Sequence, residues 1–241
     1  MVGDAPWTIY WAAGIATVSS AANECATEQE AFEQFLLALP QHLNMTNGTL
    51  ALMSSAGGIY AGSADLTISA TTVPIPETPY GTLKLAMEES AFLSADLGST
   101  VISFRITNLY GPRKNRTKAQ GLVHHTVRAA LTREPLTVFV PLGTLRDYVY
   151  VHDVAGTVRR RVSSTEHGSG IELVASGVTT SVAQLIAEVQ RITHRRVPYS
   201  VSKERRGQPG NLIFAPSLEA RSTSLACGIK RTADALSRLP H

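Results

Sequence analysis

The chain is short of several things, and each shortage closes off a class of protein. It has two cysteines in 241 residues, Cys25 and Cys227, far apart in sequence, which removes a disulfide scaffold and a cysteine-based zinc site. His124 and His125 have no Cys or carboxylate at metal-ligand spacing, so no metal is expected. Charged residues are 17% of the chain, against roughly 25% in ordinary soluble domains. The net charge is only +3 with His neutral, which fits neither a polybasic nucleic-acid binder nor a disordered acidic chain. Long apolar runs are also missing. The best candidate, Trp7 to Val18, is shorter than the roughly 20 residues that a membrane helix needs. No Lys or Arg precedes it, so it lacks the basic start of an export signal and reads as a buried strand. The expected location is therefore cytoplasmic, with free thiols, and the Asn-x-Thr matches at Asn44, Asn47 and Asn115 are chance. Neither a repeat nor a heptad pattern appears, and no G-x-G-x-x-G turn occurs anywhere.

What is present is an alternation of two periods. Ile9 to Ala13 reads as a strand, and Glu28 to Leu39 spaces its apolar residues three and four apart, as an amphipathic helix does. Leu50 to Met53 reads as a second strand, followed by a helix after Pro79, a strand at Val101 to Ile106, and a helix around Gly121 to Leu131. Strand-helix alternation predicts a parallel sheet covered by helices, with functional residues at the C-terminal strand ends. Beyond Leu136 the elements shorten into a smaller lobe. The expected division is residues 1–135 as a partial Rossmann-like domain carrying the catalytic helix. Residues 136–241 then form mainly a substrate-binding lobe, with some elements packing back on the sheet.

One constellation carries chemistry. Tyr80 and Lys84 stand four apart in Tyr-Gly-Thr-Leu-Lys, on one face of a helix, where the ammonium favours the phenolate. Ser54 and Ser55 end the strand upstream. A tyrosine so placed can exchange a proton with an alcohol or ketone while hydride moves to or from a nicotinamide. By spacing alone, a chance YxxxK and a strand-ending turn explain the same residues.

The chain resembles the extended short-chain dehydrogenase/reductases, the NAD-dependent nucleotide-sugar epimerases and dehydratases. The resemblance rests on segments in order: IYWAAG at 9–14, LMSSAGGIYAG at 52–62, ETPYGTLKLAMEE at 77–89, VISFRITNLYGPR at 101–113 and LRDYVYVHDVA at 145–155. A late Arg-containing loop, from Ser200 to Ala220 with RRGQPGN inside, completes it. The resemblance implies Tyr80 as acid/base, with Lys84 tuning it and hydrogen-bonding the nicotinamide ribose. Ser55 would orient the reacting hydroxyl, although the family's usual hydroxyl aligns with Ala56. Ala12, Ala13 and Ser54 would lie beside the cofactor, which is NAD, with NADP left open. Asn108, Arg146 and Arg206 would hold the diphosphate of a nucleotide sugar, a task suited to guanidinium groups. Taken alone, Asn108 could equally stabilise a turn, and Asp147 and Asp153 are expected to hold backbone rather than to act in catalysis.

A dinucleotide fold opens with a strand and a glycine-rich turn, neither of which precedes Ile9. The expected fold class is thus α/β: an N-terminally truncated Rossmann-like parallel sheet, short by roughly 60 to 80 residues, with a smaller substrate-binding lobe. The strand at Ile9 then becomes a sheet edge, to be covered by a partner or by a second copy in a homodimer. The expected function is an NAD(P)-dependent epimerase or related oxidoreductase acting on a nucleotide-activated sugar. A dehydratase would need an acidic pair where Gly57 and Gly58 stand. The alternative is a non-catalytic sugar-nucleotide binding or interaction module.

Overall fold

The computed structural model describes residues 4–112, 121–164, 168–202, 210–218 and 222–238. Its elements run β1 (Trp7–Trp11), α1 (Ala22–His42), β2 (Gly48–Ser55), α2 (Ala56–Ile59), α3 (Pro79–Ala95), β3 (Thr100–Ile106), β4 (Asn108–Tyr110) and α4 (Leu122–Thr132). They continue with β5 (Leu136–Val138), β6 (Leu145–Tyr150), α5 (Val151–Ser163), β7 (Gly170–Val174), β8 (Thr179–Ser181), α6 (Val182–Thr193), β9 (Tyr199–Val201) and α7 (Leu225–Ser237). The chain divides into two compact units, residues 1–106 with 156–174, and residues 107–155 with 175–241.

The first unit is built on a four-stranded sheet of order β1-β2-β3-β7, parallel throughout, which bears out the expected α/β class. Its middle strands are largely apolar on both faces, with Leu50, Ala51, Leu52, Val101, Ile102 and Phe104 almost fully buried and Ser103 and Arg105 the buried polar residues of β3. That continuous pattern is what a parallel strand covered by helices requires. β1 lies at one edge, as expected, and its burial alternates, with Trp7, Ile9 and Trp11 half-buried and Thr8 and Tyr10 exposed. The stripe Cys25, Phe32, Leu36 and Leu39 of α1 packs with Leu83, Met87 and Ala91 of α3 and with Leu50 and Leu52 of β2. Trp11 closes this core against Phe32 and Phe35, with ring centroids 5.0 and 4.5 Å apart.

In the second unit β6 pairs in parallel with β4 and antiparallel with β8, while β5 and β9 form a separate parallel pair. Helices α4, α6 and α7 enclose a core that includes Val127, Leu185, Val189 and Ile229. Ser181 starts α6 through a capping box with Gln184. Among the described residues no helix is long and apolar enough to cross a membrane. Nor does any group of three or more His, Cys, Asp or Glu side chains among them form a metal-binding cluster.

Candidate active site

The start of α3 fixes the placement of Tyr80. Thr78 caps the helix by accepting a hydrogen bond from the Gly81 N–H at 3.1 Å, and Pro79 occupies the first turn, where its missing N–H costs nothing. Gly81 is required by closeness: a Cβ there would lie 2.3 Å from the Gly58 carbonyl oxygen of α2. The same approach sets the Tyr80 ring against Gly58, whose own Cβ would lie 3.1 Å from it. One turn on, the Lys84 ammonium stands 5.5 Å from the Tyr80 ring centroid. Tyr80 is half-buried and Lys84 buried.

Lys84 is also held from α1. Its Nζ donates to Glu28 Oε1 at 2.7 Å and faces Met87 Sδ at 3.7 Å. The other oxygen of Glu28 accepts from the backbone N–H groups of Ile15 and Ala16, both at 2.8 Å. Burial opposes ionisation of Glu28, but Lys84 and these two N–H groups outweigh it and hold the carboxyl below its ordinary range. Glu28 did not stand out in the sequence as a site residue. The signal was its place four before Phe32 and eight before Leu36, which puts a carboxylate on the apolar face of the helix.

The serines behave differently from one another. Ser55 caps α2, its Oγ accepting from the Gly58 N–H at 3.2 Å, and Ala56, the first residue of α2, is fully buried. Ser54 is buried, and its Oγ has no partner among the described residues. Ala12 and Ala13 are exposed in the loop that follows β1. Deeper in the unit Glu88, one turn beyond Lys84, takes Arg105 of β3 as a buried partner at 2.6 Å. Arg105 also donates to the Tyr60 hydroxyl at 2.6 Å.

Of the residues expected to hold substrate, Asn108 and Arg146 lie in the second unit. Asn108 and Arg146 line one cavity of about 410 Å³, together with Tyr148, Phe139, His125 and Val182. Asn108 donates from Nδ2 to the Asp147 carbonyl oxygen at 2.7 Å. Arg146 is buried and donates from Nη1 to the carbonyl oxygens of Leu145 and Gly210. Burial weakens the hold of its guanidinium on the proton, with Tyr148 acting the other way. Burial likewise pushes the Tyr148 phenol up to about 12, against the pull of Arg146. Asp147 and Asp153 hold the chain, as expected. Asp147 accepts from Thr107 Oγ1, Ser176 N and Ser176 Oγ, and Asp153 accepts from Thr223 N and Oγ1. Arg206 lies outside the described residues.

A parallel sheet of this kind, covered by helices and carrying polar side chains at its strand ends, is the architecture of Rossmann-like nucleotide-binding proteins. A family model narrows the class. The model of the NAD dependent epimerase/dehydratase family matches residues 3–171, and the chain belongs to that family. It is 25% identical over 184 residues to an uncharacterized UDP-glucose epimerase of Bacillus subtilis (strain 168), covering 76% of this chain and 55% of the relative. It is also 25% identical over 142 residues to the dTDP-4-dehydro-6-deoxyglucose reductase of Escherichia coli, covering 58% of this chain and 44% of that enzyme. The chain thus spans about half the length of these two relatives. Among solved structures, the UDP-glucose 4-epimerase of Thermotoga maritima with UDP-glucose superposes with a TM-score of 0.83 at 24% identity, covering 96% of this chain and 77% of that one. The UDP-glucuronic acid 4-epimerase of Bacillus cereus, in complex with UDP-glucuronic acid and NAD, superposes with a TM-score of 0.80 at 20% identity, covering 96% and 75%. At these identities the two structures establish the fold.

Proposed function

We propose that the chain carries the acid–base and substrate-holding residues of an NAD(P)-linked epimerase or related oxidoreductase acting on a nucleotide-activated sugar. The observation that carries this reading is the Tyr80–Lys84 pair on α3, with the ammonium 5.5 Å from the ring, in a member of this family. The nicotinamide half of the cofactor fits the residues present. The orphaned, buried Ser54 Oγ and the ammonium of Lys84 are polar groups suited to a ribose and amide. Ala12 and Ala13, small and exposed, would flank it. No G-x-G-x-x-G motif occurs in the 241 residues.

In this reading the Tyr80 oxygen takes the proton of a sugar hydroxyl and later returns it, Lys84 stabilises the phenolate, and Ser55 orients the hydroxyl. NAD, when bound, supplies the hydride acceptor and then the donor. Asn108, Arg146 and Arg206 hold the diphosphate of the substrate. Epimerisation or reduction is favoured over dehydration because the two positions where a dehydratase would carry an additional acidic pair are Gly57 and Gly58. A homodimer through α1 and α3 is proposed with it, since these packed helices leave Leu37 and Leu93 exposed.

The test is steady-state turnover by the full chain with NAD and a panel of UDP-, GDP- and dTDP-sugars. Conversion is expected, with Tyr80→Phe lowering kcat by about 10²- to 10⁴-fold. Absence of conversion, or a Tyr80→Phe variant as active as the parent, would overturn the reading.

A further inference from the structure

Two parts of the first unit that are distant in sequence meet on one carboxylate. Glu28 is 4% exposed and divides its oxygens between Lys84 Nζ on one side and the Ile15 and Ala16 N–H groups on the other. The fit is close, because a Cβ on Gly14 would come within 2.8 Å of Glu28 Oε1. The carboxylate therefore rests against bare backbone and has little room to move. Each of its three donors approaches at 2.7 to 2.8 Å, the range of charge-assisted hydrogen bonds.

We infer that Glu28 is a positioning residue of the Tyr80–Lys84 pair, joining the loop after β1 to the Lys84 ammonium and tempering, by its charge, the pull of that ammonium on the Tyr80 oxygen. The inference rests on the reading of Tyr80 and Lys84 as an acid–base pair. A carboxylate 2.7 Å from the ammonium opposes the field of that ammonium at the Tyr80 ring, whose centroid lies 5.5 Å from Nζ. Glu28 thus sets how strongly Lys84 favours the phenolate, and it does so without touching the reacting atoms.

Other charged and titratable groups stand nearby among the described residues. On α3 itself Glu88 is paired with Arg105, and from β3 Arg105 is shared between Glu88 and Tyr60. From α1, Cys25 is buried, and burial, followed by the charges of Glu28 and Glu24, pushes its thiol up. From α2, the residue against the Tyr80 ring is Gly58, which carries no charge. Among the described residues Glu28 is the carboxylate paired with Lys84.

The experiment is an ultraviolet difference titration of phenolate formation in the full chain, with the Tyr80 step assigned by subtracting the Tyr80→Phe titration from the seven-tyrosine total. Glu28→Gln removes the charge and keeps the shape. It is expected to move the Tyr80 step to lower pH. Glu28→Asp restores the charge and is expected to bring the step back toward its original position, while Lys84→Met moves it to higher pH. Should Glu28→Gln fail to fold, Gly14→Ala takes its place. Its Cβ displaces the carboxylate, and the same downward direction is expected. An unmoved or upward step in these charge-removing or displacing variants, with Lys84→Met still shifting it, overturns the inference and leaves the acid–base pair standing. If Lys84→Met also leaves the step unmoved, the pair itself is lost and the inference falls with it.

Discussion

Glu88→Gln tests what holds the Tyr80-bearing helix in place. Glu88 is 2% exposed and Arg105 3%, so both charges are out of water. Arg105 donates from Nη2 to Glu88 Oε2 at 2.6 Å and from Nε to both oxygens, at 3.1 and 3.0 Å, and Ser103 Oγ adds a bond at 2.9 Å. Burial weakens the hold of Arg105 on its proton, but Glu88 and Tyr60 more than restore it. Glutamine keeps the volume, removes the compensating charge and turns an acceptor into a donor that faces the guanidinium. Removing one partner of a buried pair costs about 3–5 kcal/mol. Trp7 and Trp11, the two tryptophans of the chain, both lie on β1, so tryptophan fluorescence follows the first unit. With a urea m-value of about 1.5 kcal/mol/M, the midpoint should fall by about 2 M or more. The double variant Glu88→Leu/Arg105→Met should lie much nearer the parent, since apolar groups can replace a buried pair at little loss. A midpoint drop under about 0.5 M in Glu88→Gln would refute the reasoning.

Two further outcomes follow from the same unit. Gly81→Ala should destabilise it by about 1–3 kcal/mol, because the new Cβ meets the Gly58 oxygen at 2.3 Å and must push α3 away from α2. Helix propensity alone would stabilise this variant by about 1 kcal/mol, so a raised midpoint in the same fluorescence assay would show that the contact yields. Glu28 gives a pH dependence. Its carboxyl is held below the ordinary 4.5, so its contribution is complete above that value and is lost as pH falls through the lower folded value. Acid titration of tryptophan fluorescence should show a steeper loss of stability below about pH 4.5 in the parent than in Glu28→Gln. Equal slopes would contradict this.

Local patterns were legible in the sequence, and long-range pairings less so. Glu28 to Leu39 and the helix after Pro79 were readable because their apolar spacing is set by packing that the finished fold retains. The strand expected at Ile9 to Ala13 is observed at Trp7–Trp11, since the half-buried tryptophans carry the inward face and the two alanines after them belong to a loop. Ile171 to Ala175 was readable as a short apolar run of the later lobe. Its pairing with β3 in the first sheet was not, because nothing in a run of apolar residues names its neighbour. α7 displays Leu225, Ile229, Ala233 and Leu236 at helical spacing, a signal that was present and went unread. Tyr80 and Lys84 were found because their spacing is local. The partner of Lys84 was not, because Glu28 is 56 positions away and joins it through tertiary contact.

The inward face of α3 carries a cation and an anion in adjacent turns, and each is neutralised from a different element, Lys84 by Glu28 of α1 and Glu88 by Arg105 of β3. Substitution at any one of these four positions leaves the charge of its partner buried and unpaired. Relatives that change residue 84 should change residue 28 with it, and likewise 88 with 105. Each pair should exchange as a unit, to a reversed couple or to two apolar side chains. The helix is thereby subject to two separate pairwise constraints on its history, and only the first of them passes through the residues proposed to handle the proton.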